Sequence, residues 1–201
     1  MKRLQKSGKF IWVGNWPAID FINTQAIVDG RPEDHLKAPH DLLVWLDESG
    51  LGKNPKGSAS AAPSGLLNEA HAYRSLLRRG IAQLAEKQRI TAKLVERTNE
   101  YLRNSVSVRR VESDGHAFRA LVERRFEIVA DYIAPVADSF AALLTTGNLQ
   151  RIRKCKNPAC VLYFYDTSKG GQRAWCSLDI CGNKMRMAAS RERRRLGPSG
   201  K

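Results

Sequence analysis

The first 154 residues contain no cysteine, and the whole chain has only four. Also missing is any run of about 18 apolar residues, so no membrane-spanning helix is expected. The amino terminus, Met1-Lys2-Arg3-Leu4-Gln5-Lys6-Ser7-Gly8-Lys9, is basic but lacks the unbroken apolar stretch of a secretory signal, which makes a reducing cytoplasm the expected setting. There is no glycine-rich phosphate loop, nucleophile elbow or paired-carboxylate motif. His35, His40, His71 and His116 show no metal-ligand spacing. No catalytic residue is therefore assigned and no enzymatic activity is expected. No internal repeat is visible.

What is present is enough for a core. Hydrophobic residues make up 42% of the 201, which argues against wholesale disorder. The formal net charge is +14, and it is unevenly spread. Residues 1–150 carry 21 Lys/Arg against 17 Asp/Glu, a net of +4, whereas residues 151–201 carry 13 against 3, a net of +10. Basicity concentrated in one quarter of a chain points to an anionic partner.

The four cysteines lie in that basic quarter, as Cys155-x4-Cys160-x15-Cys176-x4-Cys181. Two equally spaced pairs around a short spacer suit a tetrahedral zinc site in which each pair closes a knuckle. Two disulfides, or inert thiols, are the alternative. Four thiolates leave no open coordination position, so the expected metal is structural.

Along the chain, Phe10–Gly14 reads as a strand and Ala18–Asn23 as a strand or a helix. Asp29-Gly30-Arg31-Pro32 is a turn. His40–Leu46 reads as a helix, with Pro39 in its first turn and Gly50 after its end. The Gly-, Ser-, Ala- and Pro-rich segment from Gly52 to Gly65 suits a surface loop. Leu66, Leu67, Ala70, Tyr73, Leu77, Ile81, Leu84 and Ala85 form one helical stripe, interrupted by Gly80 at a propensity cost. A helix over 91–102 would turn Leu94, Val95, Thr98 and Leu102 inward. A hairpin is expected around Asp114-Gly115, flanked by Val106, Val108 and the segment from His116 to Leu121. Helical spacing resumes from about Val122 to Thr146, with Pro135 kinking or splitting it. The texture changes near residue 150. Val161–Tyr165 then reads as a strand that returns, after the Ser168–Gly171 turn, through Arg173-Ala174-Trp175.

The Cys-x-Asn-Pro-x-Cys knuckle, the aromatic strand ending in Asp166, Trp175-Cys176-Ser177 and Cys181-Gly182-Asn183 together resemble the CGNR zinc finger family. Lys184 stands where that signature has arginine, which keeps the charge but loses the planar bidentate fork. Asp20-Phe21-Ile22-Asn23-Thr24, Gly30–Leu36 and Asp41–Leu46 are similar to the ABATE domain, which precedes such fingers in proteins regarded as stress-induced transcription regulators. The resemblance implies a mostly helical, sensor-like domain over 1–150 and a DNA-binding finger over 151–201. The expected fold is mainly α with small β elements (α+β): a helical amino-terminal domain, then a treble-clef-like finger made of a β-hairpin and a basic helix.

Within the finger, Gly182 would allow a close approach or positive φ, and Asn183 would cap the helix or, alternatively, read a base edge. Lys184, Arg191 and Arg195 fall on one helix face, with Arg186, Arg193 and Arg194 extending it. These residues and Asn183 are the candidate DNA contacts, against a solvated carboxy-terminal tail that stops at Leu196-Gly197-Pro198. Met185, Met187, Ala188 and Ala189 are expected to pack on the hairpin. Tyr163, Phe164, Tyr165 and Trp175 could stack on unpaired bases, but the small core of the finger is the expected use. In the amino-terminal domain, Asp20, Asn23, Arg31, Arg74 and Arg78 are candidates to line a pocket for an anionic ligand, with His35 nearby. Structural ion pairs are the alternative.

The expectation is therefore a zinc-containing, DNA-binding transcription regulator with a ligand-sensing or assembly domain. DNA is the expected partner, and a small-molecule effector and self-association remain open. The rival reading is a zinc-stabilised ligand-binding or protein-interaction module without specific nucleic-acid binding.

Overall fold

The computed structural model describes residues 8–52, 62–103, 105–124 and 126–195. The basic amino terminus up to Ser7, most of the Gly52–Gly65 loop and the Leu196-Gly197-Pro198 stop fall outside them. The described chain forms α1 (Pro17–Ile22), β1 (Gln25–Val28), β2 (Arg31–Asp34), α2 (Pro39–Glu48), α3 (Leu66–Ala85) and α4 (Ala92–Arg103). It continues as β3 (Ser107–Ser113), β4 (Phe118–Arg124), α5 (Val129–Thr146), β5 (Ile152–Lys154), β6 (Tyr163–Tyr165) and α6 (Asn183–Arg195). The strands make three antiparallel pairs, β1–β2, β3–β4 and β5–β6. The mainly helical α+β expectation holds.

The spine is α3. Its stripe of Leu66, Ala70, Tyr73, Leu77, Ile81 and Leu84 is buried, and α1, α2, α4 and α5 all pack against the helix. Gly80 has a packing reason that helix propensity does not show. A Cβ there would stand 2.1 Å from Cδ2 of Leu94 on the crossing helix α4. On α4, Leu94 and Thr98 are buried as expected and Tyr101 joins them, seven residues on from Leu94 along the same face. Val95 points out instead, 39% exposed.

The Asp29–Gly30 turn closes a β1–β2 hairpin. With φ of 49° and 80°, these residues form the two-residue, left-handed connection that suits the twist of paired strands. Two expectations need correction. The helix read from Val122 begins at Val129, because the chain through Arg124 pairs with β3. The Asp131 carboxylate then accepts the Glu127 and Ile128 N–H groups (2.9 and 3.1 Å) and fixes the start. Pro135 does not split this helix, since buried Ile133, Ala134, Val136 and Ala137 hold both flanks in the core.

The second correction concerns Phe10–Gly14, which is extended but is not a strand of any sheet. Its Val13 and Gly14 N–H groups are taken by Asp20 Oδ1 (3.0 and 2.6 Å), so they are not offered to a ladder. Its side chains alternate between two cores. Phe10 and Trp12 enter the main helical core, while Ile11 and Val13 pack against the small core around the cysteines. Ile152 and Tyr163, from beyond residue 150, also belong to the main core.

Candidate metal centre and basic helix

The first cysteine pair sits in the connection between β5 and β6, which pair as Ile152↔Tyr165 and Lys154↔Tyr163. The Cys155 N–H donates to the Leu162 carbonyl (3.0 Å) and the Cys160 N–H to the Asn157 carbonyl (2.9 Å), closing the knuckle. The partner of β6 is thus β5, and Arg173–Trp175 is not a strand. The physical reason is Asp166. Fully buried, it accepts the Ser168 N–H (2.9 Å), the Ser168 hydroxyl (2.6 Å) and the Arg173 N–H (2.8 Å), so it curls residues 166–173 into a clamped turn. Burial alone would raise this carboxyl, but the hydrogen bonds from Ser168 and Arg173 hold it below the usual range.

All four cysteines are buried, and their sulfurs lie within 4.8 Å of one another. The Cys160–Cys176 and Cys176–Cys181 separations are 3.9 and 3.5 Å. No pair is a disulfide. Four sulfurs about 2.3 Å from a central zinc in a tetrahedron would be about 3.8 Å apart, which these positions meet. Further donors face the sulfurs: the Cys176 N–H points at Cys155 Sγ (3.4 Å) and the Asn157 amide at Cys181 Sγ (3.3 Å). Hydrogen bonds among the sulfurs separate the thiols in acidity. Hydrogen bonds from Cys160 and Cys176 drive Cys155 down to about 2, while Cys160, as a donor to Cys155, rises to about 12. Cys176 is pushed up for the same reason.

The finger core shields this cluster with Leu162 and Phe164, and with Ala26 from β1. Arg173 lies 4.4 Å above the Phe164 ring. Tyr163 and Phe164 are buried and Tyr165 and Trp175 half-buried. Phe164 and Trp175 belong to or pack on the finger core as expected, whereas Tyr163 and Tyr165 go with the main helical core.

Asn183 does not cap α6. The cap is Ser177, whose hydroxyl accepts from the Asp179 and Ile180 N–H groups and whose carbonyl accepts from Cys181 and Gly182. Residues 178–182 make one wide turn that runs straight into α6, so the last ligand, Cys181, lies inside the helical run. Gly182 is needed for space and not for positive φ. A Cβ there would meet Leu178 Cδ2 at 3.2 Å and Trp175 Cδ1 at 3.3 Å. Beyond it the helix leaves the body of the protein. Asn183, Lys184, Arg186, Arg191, Arg193, Arg194 and Arg195 are all exposed, and no residue of α6 is buried. Met185 is half-buried, but Met187 (55% exposed), Ala188 and Ala189 do not pack on the hairpin.

The five polar candidates of the amino-terminal domain do not converge on one cavity. Asp20 holds the 10–14 segment. Asn23 bonds both the N–H (3.0 Å) and the carbonyl (2.8 Å) of Tyr163. Arg74 is fully buried in a two-pronged ion pair with Asp34 and a bond to Thr24 (2.8 Å). Arg78 donates to the carbonyls of Ile22, Gln25 and Val161, each at 2.9 Å. Arg31 is exposed on the β-hairpin. Asp166, Ser177 and Asn157 gained their roles only in three dimensions. Asn-Pro within the knuckle and Ser after Cys176 were the signals that could have pointed to two of them.

The architecture is that of a helical domain carrying a four-cysteine zinc finger, with one zinc ion bound by Cys155, Cys160, Cys176 and Cys181. The CGNR zinc finger model matches residues 151–194, and the ABATE model, described as "Putative stress-induced transcription regulator", matches residues 15–147. The chain belongs to the ABATE family. A search of curated proteins gives no match. Among the described residues, no helix is long and apolar enough to cross a membrane.

Proposed function

We propose that the chain is a zinc-dependent regulator of transcription that grips duplex DNA with α6. One observation carries this reading: a 13-residue helix with six Lys/Arg, one Glu and no buried residue projects from the last zinc ligand. Such a helix is about 20 Å long and about as wide as the major groove. The Arg195–Glu192 pair (3.3 Å) is exposed and worth little, so it does not compete with a phosphate. The metal is structural in this reading, and no reaction is assigned.

The helical domain acts as the mount that sets the direction of α6 through Asn23 and Arg78. A small-molecule effector would have room in the open groove of about 460 Å³ between α3 and α4, where Arg79, Lys93 and Arg97 face Glu69, Glu96 and Glu100.

Anisotropy titrations of labelled duplex DNA with the zinc-loaded chain, at several salt concentrations, test the reading. If about five phosphates are neutralised, the log–log slope is about −4.5. Replacing Arg191, Arg193 and Arg194 together by Gln should flatten it by about 2.7. No binding at low salt by a fully zinc-loaded chain would favour the rival interaction module.

A further inference from the structure

The β3–β4 hairpin is tied to α5 at its base, through Arg124 and Asp138, and projects from there. Every residue of β3 is exposed, and so are Val108 (61%), Val111 (68%) and Phe118 (81%). On one face of the ribbon, Val111 lies opposite Ala120 and Phe118 comes two residues before Ala120, so the apolar groups are contiguous. A lone two-stranded ribbon is marginal in water, and contiguous exposed apolar residues mark contact surfaces.

Three arginines of this hairpin have acidic partners. Arg110 pairs with Glu112, Arg119 with Asp114 (3.4 Å), and Arg124 with Asp138 (2.6 Å). That balance suits a protein partner better than a polyanion. The edge is open as well. The Asp114 N–H donates to the Ala117 carbonyl (3.3 Å), which sets the alternation of the ladder. Ala120, one of the pairs that exchange no bonds with β3, therefore turns its N–H and carbonyl outward.

We infer that this edge binds a second copy of the chain, β4 against β4, to make a four-stranded sheet across a two-fold axis. In β4, Phe118-Arg119-Ala120-Leu121-Val122-Glu123-Arg124, the charged Arg119 and Glu123 lie equally far from Leu121, as do the apolar Ala120 and Val122. A two-fold through Leu121 puts Ala120 at the register position of Val122, Arg119 at that of Glu123, and Phe118 at that of Arg124. The exposed Arg119–Asp114 pair is worth little, which leaves Arg119 available. Arg119 shares a register position with oppositely charged Glu123 once on each side of the axis, as an isologous interface requires.

Sedimentation equilibrium of the full-length, zinc-loaded chain tests this. The wild type should be a dimer. Ala120→Pro removes only an outward N–H and should give a monomer with unchanged circular dichroism and zinc content. Arg119→Glu and Glu123→Arg should each raise the dimer dissociation constant by about tenfold, and the doubly substituted chain should recover. A wild type that stays monomeric, a dimer that survives Ala120→Pro, or a double variant no tighter than the single ones would overturn the inference.

Discussion

Asn23 serves Tyr163 as a strand neighbour would. Its side-chain amide accepts the Tyr163 N–H (3.0 Å) and donates to the Tyr163 carbonyl (2.8 Å), across 140 residues of sequence. The two bonds fasten β6 of the finger to the end of α1, and they are buried. Replacing Asn23 by Ala would leave two main-chain groups without partners in a dry site. A loss of about 2–4 kcal/mol is expected, measured by denaturant unfolding. Asn23→Asp should be no better, because its carboxylate cannot donate to the Tyr163 carbonyl. An effect below about 0.5 kcal/mol would mean that water replaces the amide.

Zinc removal should reach beyond the finger. Ile11, Val13, Ala26 and Val28 all belong to or pack on the core built around the cysteines. Chelation should abolish the near-ultraviolet signal of the finger and lower the unfolding midpoint of the helical domain, while most of the far-ultraviolet signal survives. Structural zinc contributes on the order of 10 kcal/mol in such modules. Elemental analysis should find one zinc per chain, and Cys176→Ser should lose it. Unchanged thermal unfolding after complete zinc removal would contradict the shared core.

Asp20 predicts a pH dependence. Burial pushes its carboxyl up to about 7, against the lowering effect of the Gly14 and Val13 N–H bonds. The folded chain therefore keeps a proton that the unfolded chain releases near its ordinary value of 3.8. Between those values the native state binds more protons, so the contribution of this group falls as pH rises, by up to about 1.4 kcal/mol per unit. Asp20→Asn keeps an acceptor for the two N–H groups and removes the titration. The difference in stability between wild type and variant should shift in favour of the variant from pH 4.5 to 7.5. A constant difference would show that Asp20 titrates normally.

Gly80→Ala sets two effects against each other. Alanine gains about 1 kcal/mol of helix propensity over glycine. The new methyl would stand 2.1 Å from Leu94 Cδ2, and Leu94 is only 1% exposed, with little room to yield. Overpacking of this kind costs about 1–3 kcal/mol, so a net loss is expected. A stabilised variant in thermal unfolding would show that α4 can slide along α3.

Much of the fold follows from patterns local enough to read along the chain. The α3 stripe, Pro39 in the first turn of α2, the Asp114-Gly115 hairpin and the spacing of the cysteines each constrain a few neighbouring residues, and each is found in the structure. The errors share one cause. Phe10–Gly14 has the composition of a strand, but the fold brings Asp20 back onto it to take the Val13 and Gly14 N–H groups. Arg173–Trp175 looked like the partner of β6, but a buried Asp166 turned the chain away and left the place to β5. Val95 is as apolar as its neighbours, but the crossing of α3 and α4 turned it outward.

The sequence by itself determined that four thiols would gather around a metal and that a basic segment would follow them. Short spacings fix the geometry of a knuckle, and charge density is a property of composition. Only the tertiary structure decided how the finger is mounted. Asn23, Arg78 and Gly14 of the 10–14 segment join it to the helical core through hydrogen bonds 83 to 151 residues apart. It also decided that α6 stands free, because whether a helix face is covered depends on what folds against it.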